Sequence, residues 1–400
     1  MAPLTQTLSS NISLPPNSYI YKILSTSPRT DPLSYYQTDT LAILSSDDSL
    51  RFIDPATLNV LPDGVIKSVN ESVTCLERAD DLSSIIVATA GRDGLVKYWD
   101  RRSKGSVLTI QSPEKLISSI VCNNPRSFLA CGTENPEDGA HESPVYIWDI
   151  RKPTTPQLTL SESHTDTITT LSLHPSHPTL LLTSSTDGLL SIFDFSQPNE
   201  EDALYQVMNH RSAVAHSGFL FPGTDIYALG TDETLSIYAL QSSKEEDEEP
   251  APRVLGDVRG PLGVEYVVKM HWVGDEVFVA GGKHSENYLD LIPLEKSPAS
   301  GPLQYEFDVE KSIRLPGGHG EEIVRDVFTD VHSHTTYTCG EDGRLVAWKL
   351  SDADDNDVMA IDEPKPKKHK RKDKKDKDRD KKRKMIEEGG GKEKARYKPY

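Results

Sequence analysis

The stretch Asp342-Gly-Arg-Leu-Val-Ala-Trp348 is one of five segments in the 400-residue chain that share a single pattern. In each segment an acidic residue stands six positions before an aromatic residue, and apolar residues alternate with polar or small ones between them. The other four are Asp93-Gly-Leu-Val-Lys-Tyr-Trp99, Glu142-Ser-Pro-Val-Tyr-Ile-Trp148, Asp187-Gly-Leu-Leu-Ser-Ile-Phe193 and Asp232-Glu-Thr-Leu-Ser-Ile-Tyr238. Alternation with a period of two predicts a half-buried β-strand, here preceded by a tight turn.

These segments recur along the chain at nearly regular spacing. A sixth segment runs from Asp47 to Ile53, and a seventh, degenerate copy covers residues 288–292. The seven strand ends fall at Ile53, Trp99, Trp148, Phe193, Tyr238, Leu291 and Trp348. The last two intervals are the longest, and they contain an acidic insertion and a Pro/Ser/Gly-rich insertion. A repeat of about 40–45 residues with several short strands per unit is typical of β-propellers, so the sequence predicts an all-β fold with seven blades.

The ends of the chain differ from this repeating region. We expect the propeller to cover residues 19–350, with residues 19–24 as an extra strand that closes the ring by completing the last blade. Residues 1–18 and 351–400 are polar, charged or rich in proline, which predicts disorder. The second of these segments would form a charged tail.

Charge is distributed unevenly between the tail and the rest of the chain. Residues 365–384 contain 14 Lys/Arg and 4 Asp/Glu, a net charge of +10; because the whole chain carries −18, the remainder carries −28. Two basic clusters in the tail match a bipartite nuclear import signal: Lys367, Lys368, Lys370, Arg371 and Lys372, then Lys381, Lys382, Arg383 and Lys384. We therefore predict a nuclear protein, with the cytoplasm as the alternative. RNA contact by the tail stays open, because lysine and arginine bind phosphate without sequence preference.

The four cysteines form no Cys-x-x-Cys pair, and the first twenty residues lack the basic start and apolar run of a signal peptide. Both features predict reduced thiols in the cytosol or nucleus. No stretch approaches the roughly 18 apolar residues that a membrane span requires. The Asn-x-Ser glycosylation sequons at Asn11 and Asn70 are then expected to be accidental.

The repeats resemble WD40 repeats over roughly residues 40–350. In that family a buried histidine, threonine and aspartate form a polar network within a blade. The matching residues are His164, Thr183 and Asp187 in blade four, His210 and Asp232 in blade five, and His319, Thr338, Asp342 and Trp348 in blade seven. The spacing from histidine to aspartate is identical in blades four and seven and one position shorter in blade five, whereas blade two has Thr89, Asp93 and Trp99 but no histidine.

A Thr–His–Asp set also occurs in catalytic triads. Here the set recurs in several blades at a nearly fixed spacing, which favours a structural role that satisfies buried polar groups. Gly281-Gly-Lys-His284 has a histidine where a phosphate-binding loop needs Ser or Thr, and the paired histidines near residues 174 and 332 lack further metal ligands. We therefore predict no catalytic residue, cofactor or metal, and a monomeric propeller that binds other proteins.

Two consecutive blades end in the same tetrapeptide pattern, Trp99-Asp-Arg-Arg102 and Trp148-Asp-Ile-Arg151. Substrate receptors of cullin-4 ubiquitin ligases resemble this chain in carrying Trp-Asp-x-Arg motifs, whose arginines dock on the adaptor propeller. That resemblance implies a partner-binding role for Arg102 and Arg151. The alternative is that each arginine only caps its blade end by pairing with the preceding aspartate.

Segments outside the repeats, such as Cys131-Gly-Thr-Glu134 and Asp257-Val-Arg259, resemble the WD repeat-containing protein 89 family. The resemblance implies a nuclear or cytosolic interaction protein and supplies no reaction. Two functions stay open on the sequence. The chain is a protein-interaction scaffold, with a cullin-4 substrate receptor as its sharper form, or it is a ribosome-assembly or nucleolar factor that uses the basic tail.

Overall fold

The structure is a computed structural model that describes residues 2–31, 33–82, 85–103, 105–136, 142–242, 250–297 and 301–350. The chain divides into two compact units, Met1–Asp355 and Asn356–Tyr400. All described residues belong to the first unit. The predicted tail at 351–400, its disorder and its import signal lie outside the described residues.

The described strands form seven blades. The first strand, β1 (Ala2–Ser10), belongs to blade seven although it precedes blade one in the sequence. Blade one contains β2 (Ile20–Ser25), β3 (Leu41–Ser45), β4 (Ser49–Ile53) and β5 (Val60–Ile66). Blade two contains β6 (Val73–Arg78), β7 (Ile86–Gly91), β8 (Leu95–Asp100) and β9 (Ser106–Gln111). Blade three contains β10 (Ile117–Asn123), β11 (Phe128–Thr133), β12 (Val145–Asp149) and β13 (Leu158–Leu160).

The remaining blades follow the same order. Blade four contains β14 (Ile168–Leu173), β15 (Leu180–Ser185), β16 (Leu189–Asp194) and β17 (Leu204–Asn209). Blade five contains β18 (Val214–Phe219), β19 (Ile226–Gly230), β20 (Thr234–Tyr238) and β21 (Arg253–Asp257). Blade six contains β22 (Tyr266–Val273), β23 (Glu276–Lys283), β24 (Tyr288–Lys296), β25 (Tyr305–Phe307) and β26 (Ile313–Pro316). Blade seven contains β27 (Val324–Asp330), β28 (Thr335–Gly340) and β29 (Leu345–Leu350).

Within the described ranges, four short helices connect these strands. They are the α-helices α1 (Glu200–Ala203) and α2 (Arg259–Leu262), and the 3₁₀ helices Asn124–Arg126 and His284–Glu286. Within a blade we label the antiparallel strands a to d, from the central channel to the rim. The a–b and c–d turns lie at one face, which we call the lower face, and the b–c turns and d–a connections lie at the upper face.

The predicted all-β propeller with seven blades is confirmed, and each segment that predicted a strand forms strand c of its blade. The Asp-Gly pairs form the expected b–c turns, with φ of +77° at Gly94 and +68° at Gly343. Glycine adopts this conformation without steric cost. The degenerate copy at 288–292 lies in β24, and its blade has an outer strand split into β25 and β26.

The prediction for the N-terminus was wrong in two respects. Residues 2–10 form β1 rather than a disordered segment, and β1 rather than residues 19–24 completes blade seven. β1 pairs antiparallel with β29 from Leu4↔Leu350 to Ser10↔Leu345, and parallel with β26 of blade six at Ala2↔Ile313. An outer strand needs few apolar residues because the open edge of β29 supplies its hydrogen bonds. Among the β1 residues whose burial the structure describes, only Leu4 is buried, in the cluster that holds Trp348.

Residues 20–25 form strand a of blade one instead, and this strand shows a feature common to all seven blades. Each strand a has a β-branched residue at its first position, or at its second in blade six, and a bulge directly after it. These residues are Ile20, Val73, Ile117, Ile168, Val214, Val267 and Val324, and all are buried. A bulge twists the strand and re-aims the side chains that follow. The residues after it face the central channel, where Lys22 pairs with Glu77 (2.5 Å) and Lys269 with Asp326.

Candidate functional site

Blade seven contains the polar network that the sequence predicted. Trp348 Nε1 donates to Thr338 Oγ1 (2.9 Å), which lies 2.7 Å from His319 Nε2, and His319 Nδ1 lies 2.9 Å from Asp342 Oδ1. A carboxylate only accepts, so Nδ1 carries the proton and Nε2 accepts from the threonine hydroxyl. Each group in the network therefore donates a hydrogen bond to the next, from the indole to the carboxylate, and no side chain of the network lacks a partner.

Blade four repeats this arrangement. His164 Nδ1 lies 3.0 Å from Asp187 Oδ2 and His164 Nε2 lies 2.7 Å from Thr183 Oγ1. Phe193 replaces the tryptophan, so no indole donates to the threonine. Burial opposes ionisation of Asp187, but hydrogen bonds, first from His164 and then from the Leu189 N–H, outweigh it and lower the pKa of the carboxyl.

Blade five departs from the predicted pairing of His210 with Asp232. His210 Nε2 lies 3.0 Å from Thr234 Oγ1, and that hydroxyl donates to Asp232 Oδ1 at 2.7 Å. Ala228 stands in strand b where blades four and seven have a threonine, so the hydroxyl must come from another position. His210 Nδ1 is buried without a hydrogen-bond partner among the described residues. His210 and Asp232 are therefore linked through the hydroxyl of Thr234 and not by a direct hydrogen bond.

Blade two also has the network, and sequence reasoning missed its first member, Asn70. Asn70 Nδ2 donates to Asp93 Oδ1 (3.0 Å) and to the Leu95 carbonyl (2.9 Å), and Thr89 Oγ1 donates to Asn70 Oδ1 (2.6 Å). Trp99 Nε1 donates to Thr89 at 2.8 Å. Asn70 stands as far before Asp93 as the histidines of blades four and seven stand before their aspartates. That register identifies an asparagine in the place of the histidine, at a position that the sequence presented only as a glycosylation sequon.

The network histidines are poorly placed for chemistry on a substrate. His164, His210 and His319 are 3%, 7% and 7% exposed, and each lies inside its own blade. They hold the upper-face b–c turns to the preceding d–a connections. No group of three or more His, Cys, Asp or Glu within the described ranges is placed to hold a metal ion.

Arg102 and Arg151 lie at equivalent positions on the lower face of blades two and three. Arg102 Nε and Nη2 donate to Asp100 at 3.1 and 2.8 Å, and Arg151 Nε and Nη2 donate to Asp149 at 2.8 and 2.7 Å. The hydrogen bonds from Arg151 lower the pKa of Asp149 to about 2. Both arginines nevertheless remain exposed, with 69% and 74% of their side-chain surface accessible.

The aspartates form their turns without needing the arginines. Asp100 and Asp149 accept the backbone N–H two residues further on at 2.9 and 3.0 Å. Asp54 in blade one and Asp194 in blade four make the same contact at 2.9 and 3.1 Å, although an alanine or a serine follows there in place of arginine. An Asx turn of this kind is set by the aspartate alone. The turn itself therefore does not require the two arginines, although each makes the pairing with its aspartate that the capping alternative expects.

A third Asp-x-Arg pair lies on the opposite face. Arg259 Nε and Nη2 donate to Asp257 at 3.0 and 2.7 Å, with the same side-on geometry. Asp257 ends strand d, which runs antiparallel to strand c. Arg259 is therefore on the upper face and provides a matched reference for the pair on the lower face.

Comparison with known proteins agrees with the repeat structure. The profile of the family described as WD domain, G-beta repeat matches residues 154–194, which span most of blade four. An uncharacterized WD repeat-containing protein of Saccharomyces cerevisiae is 38% identical over 266 residues, which cover 66% of this chain and 64% of the relative. The match thus covers less than two thirds of that relative's length.

Two further relatives extend the match over more of the propeller. An uncharacterized WD repeat-containing protein of Schizosaccharomyces pombe is 27% identical over 323 residues, covering 78% of this chain and 92% of the relative. The WD repeat-containing protein 89 homolog of Dictyostelium discoideum is 21% identical over 316 residues, covering 69% and 83%.

The chain contains a WD40 repeat, and its relatives are WD repeat-containing proteins. WD-repeat proteins generally act as protein-interaction scaffolds, and their propellers are typically non-enzymatic. Burial raises the pKa of the Cys75 and Cys122 thiols to about 12, so both are protonated near neutral pH. No helix within the described ranges has the length and apolar character that a membrane crossing requires.

Proposed function

We propose that this protein is a non-catalytic scaffold that docks an acidic protein surface through Arg102 and Arg151. The observation that carries the proposal is that both arginines are exposed on adjacent blades, in the same conformation, at a turn that blades one and four form with alanine or serine in place of arginine. A feature that the fold does not need, repeated in two neighbouring blades, favours a role in binding.

The pairing with aspartate prepares each arginine for a partner. The side-on contact uses Nε and Nη2, and no described residue accepts a hydrogen bond from Nη1 of Arg102 or Arg151. The planar guanidinium thus keeps donors for an incoming carboxylate. Because the side chain is already held in one conformation, less side-chain entropy is lost when the partner binds.

The sharper form of the proposal is a substrate receptor of a cullin-4 ubiquitin ligase. It rests on the resemblance of the two Trp-Asp-x-Arg motifs to those of such receptors. The test is binding of the purified adaptor propeller of that ligase to the full chain. We expect Arg102→Ala with Arg151→Ala to weaken binding by about ten-fold or more, as loss of two charged interface contacts does.

Arg259→Ala is the matched control, because it removes the same kind of clamp from the upper face. Unchanged adaptor binding by the double variant would refute the docking role. Equal loss in the double variant and in Arg259→Ala would indicate a general electrostatic effect instead of a site.

The second candidate is a ribosome-assembly or nucleolar factor, favoured by the net charge of +10 in residues 365–384. We also propose nuclear import through the two basic clusters of this segment. Deletion of residues 365–384 is expected to shift the protein from nucleus to cytoplasm and to abolish salt-sensitive co-sedimentation with pre-ribosomal particles. Co-sedimentation that survives the deletion would contradict this role for the tail.

A further inference from the structure

A groove follows the lower face at the seam between blades five and six. Its inner end opens into the mouth of the central channel, a cavity of about 570 Å³ that is lined by residues of blades one to six, with Phe219, Tyr227 and Trp272 at the seam. Its outer part is a cavity of about 490 Å³ whose walls include Pro222, Val277, Pro293 and Tyr305. Phe221 lines both cavities. Each is within the size range of ligand pockets, about 300–1,000 Å³.

The walls of this groove are held in place by contacts that cross the seam. Trp272 Nε1 of blade six donates to the Phe221 carbonyl of blade five at 3.3 Å. At the outer end, Asp225 of blade five accepts from Tyr305 Oη (2.6 Å) and pairs with Lys296 (2.5 Å), both of blade six. The groove is thus preformed, which limits the entropy that a ligand must overcome.

A glycine contributes to the width of the inner cavity. Gly218 stands in strand a of blade five where the other six inner strands carry a side chain, namely Leu24, Glu77, Val121, Ser172, His271 and Phe328. A Cβ atom at Gly218 would lie 2.9 Å from Cε1 of Tyr227. The glycine therefore admits the aromatic ring of Tyr227 to the wall of the cavity.

The outer end of the groove is negatively charged. Asp275 and Glu276 are exposed at the a–b turn of blade six, and no described cation forms an ion pair with either of them. Lys296 is the lysine of this wall, and it is already paired with Asp225. A ligand with a positive charge beside its apolar part would complement this arrangement.

We propose that the groove binds an extended segment of a partner protein in which apolar side chains are followed by a lysine or arginine. The apolar side chains fill the space between Phe221, Val277 and Tyr305, and the basic residue pairs with Asp275 or Glu276. The groove lies on the same face as Arg102 and Arg151 but across the ring from them. One partner at each site can therefore bind at the same time, and the groove does not depend on the function proposed for the arginines.

The test uses the full chain and a phage-displayed library of random dodecapeptides. We expect selected peptides to be enriched in an apolar residue followed by lysine or arginine. A fluorescently labelled selected peptide is then titrated by anisotropy. We expect Asp275→Lys with Glu276→Lys to weaken its binding by about ten-fold or more, and Val277→Glu to do the same, because each variant removes one half of the complementarity.

Glu321→Lys with Glu322→Lys is the matched control, since it reverses two adjacent exposed acidic residues on the upper face. It is expected to bind the peptide as the wild type does. Selection without enrichment of basic residues would overturn the proposal. So would a peptide that binds both groove variants as well as it binds the wild type. If Val277→Glu fails to fold, the double lysine variant decides the outcome, because both of its positions are exposed.

Discussion

Asn70 offers the sharpest test of how the blades are stabilised, because a histidine stands at its position in two other blades. Replacing Asn70 by alanine removes three side-chain hydrogen bonds, to Asp93, to the Leu95 carbonyl and from Thr89, and leaves all three partners in place. Asn70 is 3% exposed, so water does not readily replace them. At about 1 kcal/mol for each hydrogen bond lost, the free energy of unfolding falls by about 3 kcal/mol.

That free energy converts into a measurable change in melting temperature. An unfolding entropy of about 2.1 cal/mol/K per residue amounts to about 0.7 kcal/mol/K for a propeller of roughly 350 residues, so Tm falls by about 4 °C. The Tm of Asn70→His should be only about 1–2 °C below that of the wild type, because this variant keeps the contacts to Asp93 and Thr89 and loses the one to the Leu95 carbonyl. Gly91 leaves room for the imidazole, as Gly340 does beside His319 in blade seven.

The assay is thermal unfolding followed by circular dichroism, with urea unfolding for the free energy. Asn11→Ala is the control, since Asn11 is the other sequon asparagine and its exposed side chain makes only a local contact to Ser13. If Asn70→Ala melts within about 1 °C of the wild type, the network does not stabilise blade two. If Asn70→His is no better than alanine, the equivalence of asparagine and histidine at this position is wrong.

Three further outcomes follow from the structure. Burial lowers the pKa of His174 to about 4, with a further contribution from His177, and it lowers the pKa of His271 to about 3, with a further contribution from Lys269. The free energy of unfolding therefore falls as the pH drops below about 6.5, by about 2 kcal/mol per histidine at pH 5. A constant Tm from pH 7 to pH 5 would contradict this. Trp348→Phe should lower the free energy of unfolding in urea by about 1 kcal/mol more than Trp148→Phe does, because the indole N–H of Trp348 has an acceptor and that of Trp148 has none among the described residues. Deletion of residues 2–10 should lower Tm and promote association by uncovering the edge of β29; a monomer with unchanged Tm would argue against β1 as the closing strand.

Strand c could be predicted from the sequence because its pattern is strong. It combines alternation, an acidic turn residue and an aromatic end, and these recur at blade spacing. Strand b is also visible in most blades as a short apolar run before the turn. The weaker signal of strand a, a β-branched residue that recurs seven times, is visible only once the bulges are known. A bulge breaks the period of two, so the alternation that marks strand c is absent from strand a.

β1 could not be predicted for a different reason. Its sequence, from Ala2 to Ser10, has two leucines among polar residues, which reads as a disordered terminus. The strand exists because β29 and β26 offer unpaired backbone groups on both sides of it. That stabilisation comes from the rest of the fold and is not encoded in the local sequence.

The residues that stabilise the blades could be predicted from the repeat pattern, whereas the candidate binding residues could not. Blade stability needs a donor and acceptor set, and its fixed spacing from the turn aspartate identifies the first member whether that residue is His319 or Asn70. Binding sites have no such register, because they are departures from the repeat. Arg102 and Arg151 stand where blades one and four have alanine and serine, and Gly218 stands where the other inner strands have side chains. In a repeat protein, the positions that all blades share therefore indicate what the fold requires. The positions where one or two blades differ, while the local structure stays the same, are the places to look for function.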